Sequence, residues 1–243
     1  MRRQGSGPIK GRLALVTGAS RGIGFEIAGA LAGKGCDLIM SARDAKALAR
    51  AAERIEKWGV RVLAQSCDVR SPESVDYLFA VTRALHRPLD FLVNNAGISQ
   101  PIRNVSELPY PMWADVIETN LTGTFLVTQA ALAIMKRGSV IVNNLSLAAE
   151  RAFPGSAAYN ASKHGALGFT DTLREELREK GIRVIGLMPG ATDTDIWKVY
   201  WPKAPRGKMM SAATVARAVV DAMLVPENCA VEKLVIAPAS GAL

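Results

Sequence analysis

Seven short apolar runs punctuate the chain: LALVT (13–17), DLIMS (37–41), RVLAQ (61–65), FLVN (91–94), SVIVN (139–143), RVIGLM (183–188) and KLVIA (233–237). Several are apolar at nearly every position, as strands covered on both faces should be. Between them, apolar residues recur at helical spacing over about 22–33, 44–58, 72–86, 111–136, 157–180 and 211–224. Two of these starts carry clear signals. Asp44 can cap the second helix, and Ser71 followed by Pro72 supplies an N-cap and a first-turn proline to the third. Strand and helix alternating in this way predict an α/β fold, a doubly wound parallel sheet with helices on both faces. No short-period repeat or low-complexity linker divides the chain, so we expect a basic flexible tail over 1–11 and a single domain over 12–243.

Composition narrows the function classes. With 243 residues, 49% of them hydrophobic, the chain can bury one large core. No apolar run approaches the roughly 18 residues of a membrane helix, and the basic N-terminus lacks a signal-peptide core, so we expect no membrane partner and a cytoplasmic location. Cys36, Cys67 and Cys229 are far apart, none forms a CxxC pair, and there are only two histidines; no metal site is expected, and reduced thiols are. The net charge is +8, and four of the cations, Arg2, Arg3, Lys10 and Arg12, lie in the first twelve residues. Aromatic and basic residues do not interleave and no nucleic-acid motif occurs, so an anionic cofactor or small-molecule substrate accounts for the charge more simply than nucleic acid.

TGASRGIG (17–24) follows the first strand and opens the first helix. Gly18, Gly22 and Gly24 allow a tight turn, close backbone approach to a phosphate and close helix packing, with the helix amides facing the anion. GSGPIKG (5–11) is also glycine-rich, but no strand precedes it. GASRG (18–22) matches the GxSxG elbow of serine hydrolases, with Ser20 as nucleophile. That elbow needs an acid and a histidine; His86 ends a polar helix and His164 has no acidic neighbour in sequence, so we set it aside. Further on, YNASKHG (159–165) puts Tyr159 and Lys163 one helical turn apart on one face. A lysine so placed would favour the tyrosinate and lower a pKa that is otherwise about 10.

The glycine spacing, NNAG (94–97) and Tyr-x-x-x-Lys occur in this order together with CDV (67–69), TNLTG (119–123), NLS (144–146) and PGATDT (189–194). From about residue 10 to its C-terminus the chain resembles the short-chain dehydrogenase/reductase family. The resemblance implies a seven-stranded sheet of order 3-2-1-4-5-6-7. It implies that Gly18, Gly22 and Gly24 cradle a pyrophosphate, with Ser20, Arg21 and Ile23 of the same loop also binding the cofactor, and that Asp68 and Val69 meet the adenine. Asn95, Ala96 and Gly97 would lie along the cofactor, and Pro189, Gly190, Thr192 and Thr194 at its nicotinamide end. Ser146, thirteen residues before Tyr159, would bind the substrate oxygen, Asn120 would hold a relay water, Tyr159 would exchange the proton, and Lys163 would tune it and bind the cofactor ribose.

The cofactor expected is NADP(H) rather than NAD(H). The second strand ends LIMSARD, with Ser41 and Ala42 where an NAD site carries an acid. Arg43 comes next, Arg21 is a second cation for a 2′-phosphate, and Asp44 reads as a helix cap turned away. Substrate choice should lie in 98–110, 147–158 and 193–210. The last reads as a lid in which Trp197, Tyr200 and Trp201 suit an apolar ring and Lys198, Lys203, Arg206 and Lys208 an acidic substrate, with a 3-oxoacyl-(acyl-carrier-protein) reductase-like activity among the readings. A catalytically silent NADP-binding sensor is the alternative outside enzymes, although no catalytic residue is missing. The long patterns at 111–136 and 157–180 resemble the family's interface helices, so a homo-oligomer is expected, a tetramer or else a dimer.

Overall fold

The computed structural model describes residues 9–241; the first eight residues of the basic tail lie outside it. Residues 9–11 form a turn with Ile9 buried, and Arg12 N donates to the Ile9 carbonyl at 3.0 Å. The chain then alternates strand and helix: β1 (Leu13–Thr17), α1 (Gly22–Gly33), β2 (Asp37–Ala42), α2 (Ala45–Glu56), β3 (Val62–Ser66), α3 (Pro72–Arg83) and β4 (Leu89–Asn94). There follow α4 (Tyr110–Ile117), α5 (Gly123–Leu132), β5 (Met135–Asn144), α6 (Ala157–Arg178) and β6 (Arg183–Pro189). Two two-residue strands, β7 (Thr192–Asp193) and β8 (Met210–Ser211), pair as a separate ribbon around α7 (Trp197–Tyr200), before α8 (Ala212–Met223) and β9 (Lys233–Ile236).

The main sheet has seven parallel strands in the order β3-β2-β1-β4-β5-β6-β9. This is the expected order, its seventh strand being the ninth in the chain because the ribbon intervenes. Period-two alternation sorts β1 between two cores. Ala14 and Val16 pack with Ile27, Leu31, Leu48 and Val219 of α1, α2 and α8, while Leu13 and Leu15 pack with Leu78, Val127 and Leu173 of α3, α5 and α6. Both faces are therefore covered, as the nearly continuous apolar strands required. Chain connections leave β1 and β4 toward opposite edges of the sheet, and the crevice at their C-terminal ends is where open α/β sheets bind ligands.

The pattern over 111–136 is not one α-helix. A π turn at Glu118–Thr122 separates α4 from α5, and the backbone is extended from Met135. The π turn has an identifiable cause: Asn120 turns inward to hydrogen-bond the Ile98 main chain on both sides, a pairing that regular helical spacing would not present. Met135, apolar enough to read as helix, pairs instead with Leu89.

At the opposite end of the sheet Asp37 accepts from Arg61 Nη2 at 2.8 Å and Arg87 Nη1 at 2.7 Å, and Arg87 reaches the Gly11 carbonyl. Burial would raise this carboxyl, but the Arg87 and Arg61 hydrogen bonds outweigh it and hold the group below its usual 3.8.

Candidate functional site

The glycine loop leaves β1 at the crevice. Gly18 and Gly22 have φ of +63° and +59°, the left-handed region open to glycine. Space demands glycine as well. A Cβ on Gly18 would stand 2.9 Å from Ala96 Cα, and one on Gly24 would strike Asn95 Nδ2 and come within 2.6 Å of the Gly18 carbonyl. Asn95 is held in that position because its amide donates to the Thr17 carbonyl at 2.9 Å, while Thr17 Oγ1 accepts from the Asn95 and Ala96 main chain. Ser20 and Ile23 lie on the same turn, and the Thr194 methyl group lies against Gly22.

The N-terminus of α1 is left open. Asp44, Ser71 and Ser211 cap α2, α3 and α8 by accepting from Ala47, Ser74 and Thr214. Arg21 occupies the same position of α1 in extended backbone, makes no side-chain cap, and no acid lies in the first turn. Unopposed helix amides beside a cation fit a phosphate group. Arg43 is the first residue after β2 and is exposed, whereas Asp44 is engaged at the start of α2. No acid therefore sits at the end of β2, and the residues present fit a dinucleotide with a 2′-phosphate better than one without.

Two expected adenine contacts are engaged with protein groups. Both Asp68 carboxylate oxygens accept from the Arg70 guanidinium, which also reaches Asp115 at 2.8 Å; that hydrogen bonding holds Asp68 below 3.8. Val69 is buried against Gly123, where a Cβ would come within 2.6 Å of it.

Tyr159 and Lys163 do share a face of α6, with Lys163 Nζ 5.7 Å from the Tyr159 ring centre. Lys163 is 6% exposed, and burial lowers its ammonium from 10.5 to about 8. It donates to the Asn144 carbonyl at 2.8 Å, the Asn144 amide donates to Asn95 Oδ1 at 2.8 Å, and Asn95 closes on the glycine loop. A continuous polar chain thus links the lysine to the loop.

The sequence led us to expect Lys163 to lower the Tyr159 pKa; the net direction is upward. Burial dominates, a hydrogen bond with Ser146 opposes it, and repulsion by Tyr200 adds to it, while the Lys163 ammonium is engaged at Asn144. The phenol is therefore protonated at neutral pH. Ser146 follows β5 in extended backbone, its Oγ also accepting from Ala148 N at 3.1 Å.

Asn120, expected to hold a water, has its side chain committed to protein: Oδ1 accepts from Ile98 N at 2.8 Å, and Nδ2 donates to the Ile98 carbonyl and to Ser162 Oγ. A Cβ on Gly97 would lie 3.3 Å from Asn120 Oδ1 and 3.8 Å from Lys163 Nζ, so Gly97 separates the two. Pro189 ends β6, and Gly190 is pressed between Leu147 and Ala237. Thr192 accepts on its carbonyl from Trp197 Nε1 at 2.8 Å.

Sequence reasoning missed Thr17, Asn144, Gln100 and Ser156. Asn144 stood inside the NLS marker but drew no role; Gln100 gave no local signal because its partners are distant in the chain, and Ser156 offered only a cap signal before α6, not its pairing with Tyr200. The hydrolase elbow fails on geometry. His86 precedes β4 at the far end of the sheet from Ser20, and His164 Nδ1 pairs with the Asn160 carbonyl on its own helix. Among the described residues no group of three or more His, Cys, Asp or Glu could hold a metal, and no helix is long and apolar enough to cross a membrane.

A doubly wound sheet with an open helix end and a Ser-Tyr-Lys cluster at its switch point is the architecture of a dinucleotide-dependent oxidoreductase. Residues 12–204 match the short chain dehydrogenase family, and the chain belongs to the short-chain dehydrogenase/reductase family. It is 37% identical over 231 residues to a Streptomyces coelicolor protein named for ketoacyl reduction, covering 85% of this chain and 88% of that one. It is 34% identical over 223 residues to 3-oxoacyl-[acyl-carrier-protein] reductase FabG of Aquifex aeolicus, covering 87% and 90%. The alcohol dehydrogenase of Thermococcus sibiricus, solved with 5-hydroxy-NADP, superposes with a TM-score of 0.88 at 30% identity, covering 95% of this chain and 97% of that one. Two further structural relatives were solved with NADPH and NADP. The family uses nicotinamide cofactors.

Proposed function

We propose that the protein is an NADP(H)-dependent oxidoreductase that interconverts a carbonyl compound and a secondary alcohol. The observation that carries this reading is the convergence of Ser146, Tyr159 and Lys163, linked through Asn144 and Asn95 to the glycine loop that precedes α1. Bound NADPH would supply the hydride. Ser146 hydrogen-bonds the substrate oxygen, and Tyr159, protonated at neutral pH, donates its phenol proton to that oxygen as it gains charge. Lys163, anchored through Asn144, holds a positive charge behind the phenol and supports the phenolate that remains. The α1 amides would hold the cofactor, with Gly18, Ser20, Gly22, Ile23 and Gly24 allowing close approach, Arg21 and Arg43 available to the 2′-phosphate, and Asn95 to Gly97, Pro189, Gly190, Thr192 and Thr194 available along its length. Free cysteines, two of them buried, suit a reducing compartment and cytoplasmic action.

Among substrates, the names of the ketoacyl-reducing relatives favour a 3-oxoacyl compound. Within the lid, Lys198 pairs with Asp195 and Arg206 with Asp193, which leaves less of its positive charge for an acidic substrate than the sequence implied. The test is NADPH oxidation followed at 340 nm over a panel of ketones and 3-oxoacyl thioesters. Tyr159→Phe should lose at least 100-fold in rate with NADPH affinity within about twofold of wild type, while Ser20→Ala stays active. A Tyr159→Phe enzyme above about a tenth of the wild-type rate would put the acid elsewhere, and tight NADPH binding with no turnover would favour the sensor.

A further inference from the structure

The first turn of α6 departs from ordinary capping. Ser156 stands at its N-cap, where a serine normally accepts from an amide of the first turn, yet it makes no such bond. Tyr159 N, one of those amides, donates instead to Gln100 Oε1 at 3.1 Å; Gln100 is 0% exposed and its own amide donates to the Gly155 carbonyl at 3.2 Å. With its usual partner taken, Ser156 Oγ, in a residue 1% exposed, lies 2.7 Å from Tyr200 Oη. Tyr200 belongs to α7 in the segment 193–210. Its ring packs edge-on against Trp197 with centroids 5.5 Å apart, and its carbonyl accepts from Ile102 N at 3.3 Å. Two segments of expected substrate specificity thus dock on the same helical turn, three residues before Tyr159.

We propose that Tyr200 is a positioning residue, whose hydroxyl bond to Ser156 holds the 193–210 lid against the start of the helix carrying Tyr159, so that closing the lid and aligning the substrate carbonyl are one event. Gln100 makes this arrangement available by taking over the amide that Ser156 would otherwise cap. The assignment rests on the oxidoreductase reading for its kinetic consequence but not for the contact itself.

The experiment compares wild type, Tyr200→Phe, Ser156→Ala and the double variant, by steady-state kinetics on a ketone that wild type reduces and by hydrogen-exchange mass spectrometry of peptides spanning 193–210. One neutral hydrogen bond corresponds to about a five- to tenfold change, so each single variant should raise the ketone KM by that factor, with the loss falling on KM rather than kcat. The double variant should be no worse than either single, since both remove the same bond. Lid peptides should exchange faster in all three variants. Ser156→Ala and Tyr200→Phe should lower the melting temperature alike and by no more than their one shared bond, with kcat unchanged, because the serine caps nothing; a serine that served α6 itself would lower the melting temperature further than Tyr200→Phe does and reduce kcat as well. Additive effects in the double variant, or unchanged KM with unchanged exchange, would overturn the proposal. If wild type reduces no ketone, the oxidoreductase reading fails, and lid exchange alone still decides whether Tyr200 holds the lid.

Discussion

Replacing Lys163 by methionine should stabilise the protein while abolishing turnover. The two side chains are similar in volume, so the change removes a buried charge and one hydrogen bond without opening a large cavity. Burial lowers the ammonium from 10.5 to about 8, which corresponds to about 3 kcal/mol of unfavourable charge burial at pH 7. Against this, the Asn144 carbonyl loses its donor, at a cost of about 1–2 kcal/mol. The net gain at pH 7 is about 1–2 kcal/mol, or about 3–6 °C in Tm for a chain of this size.

The sign with pH provides a second check. Below about pH 8 the lysine is protonated in both folded and unfolded states, and the full burial cost is present. Between about 8 and 10.5 the folded state releases its proton while the unfolded state keeps it, so the lysine's contribution to wild-type stability becomes less unfavourable as pH rises. The methionine variant has no such dependence, and its advantage should shrink from pH 7 to pH 9.5. Urea denaturation without nucleotide at both values measures this. A variant less stable than wild type at pH 7 by more than about 1 kcal/mol, or a difference constant with pH, would show that the amine is solvated or paired in a way the Asn144 contact does not describe.

Arg43→Ala should lower the ratio of kcat/KM for NADPH over NADH by about ten- to a hundredfold, since one charge-assisted contact to the 2′-phosphate is lost; an unchanged ratio would remove Arg43 from the site. Asp37→Asn should cost about 2–4 kcal/mol in urea denaturation, because Arg87 and Arg61 lose their shared acceptor. The folded Asp37 pKa lies below 3.8, so that contribution is fully present above 3.8 and is lost as pH falls from there through the lower, folded value; a wild-type minus variant difference that does not shrink as pH is lowered below 3.8 would refute the assignment. Sedimentation at micromolar concentration should give a tetramer. Phe125, 42% exposed, packs edge-on with Phe169 across the outer face of α5 and α6, and Val235 is exposed on the edge strand β9; a 25.9 kDa monomer would contradict this.

What could be read from sequence follows from the range over which each feature is determined. The buried strands declare themselves residue by residue, and the caps at Asp44 and Ser71 are decided within three residues, so these agree with the structure. The glycines at 18, 22 and 24 were legible as a tight turn, but part of the necessity at 18 and 24 comes from Asn95, a side chain over seventy residues away. The break at Asn120 and the upward shift at Tyr159 were not legible. The first depends on a hydrogen bond to Ile98, and the second on how much of α6 is covered.

Ser156 shows how a local rule can be obeyed in sequence and set aside in the fold. A serine before an apolar helix reads as a cap. It does not cap here because Gln100, fifty-nine residues from Tyr159, takes a first-turn amide and leaves the hydroxyl free for Tyr200. Local signals therefore located α6 and its Tyr-Lys face, while the polar contacts around its first turn come from segments brought together by the sheet. Substrate preference should depend on those same segments, 98–110, 147–158 and 193–210. Reading it would require knowing which hydrogen-bond partners are already engaged, and in this fold that is settled only after β4, β5 and β6 are side by side.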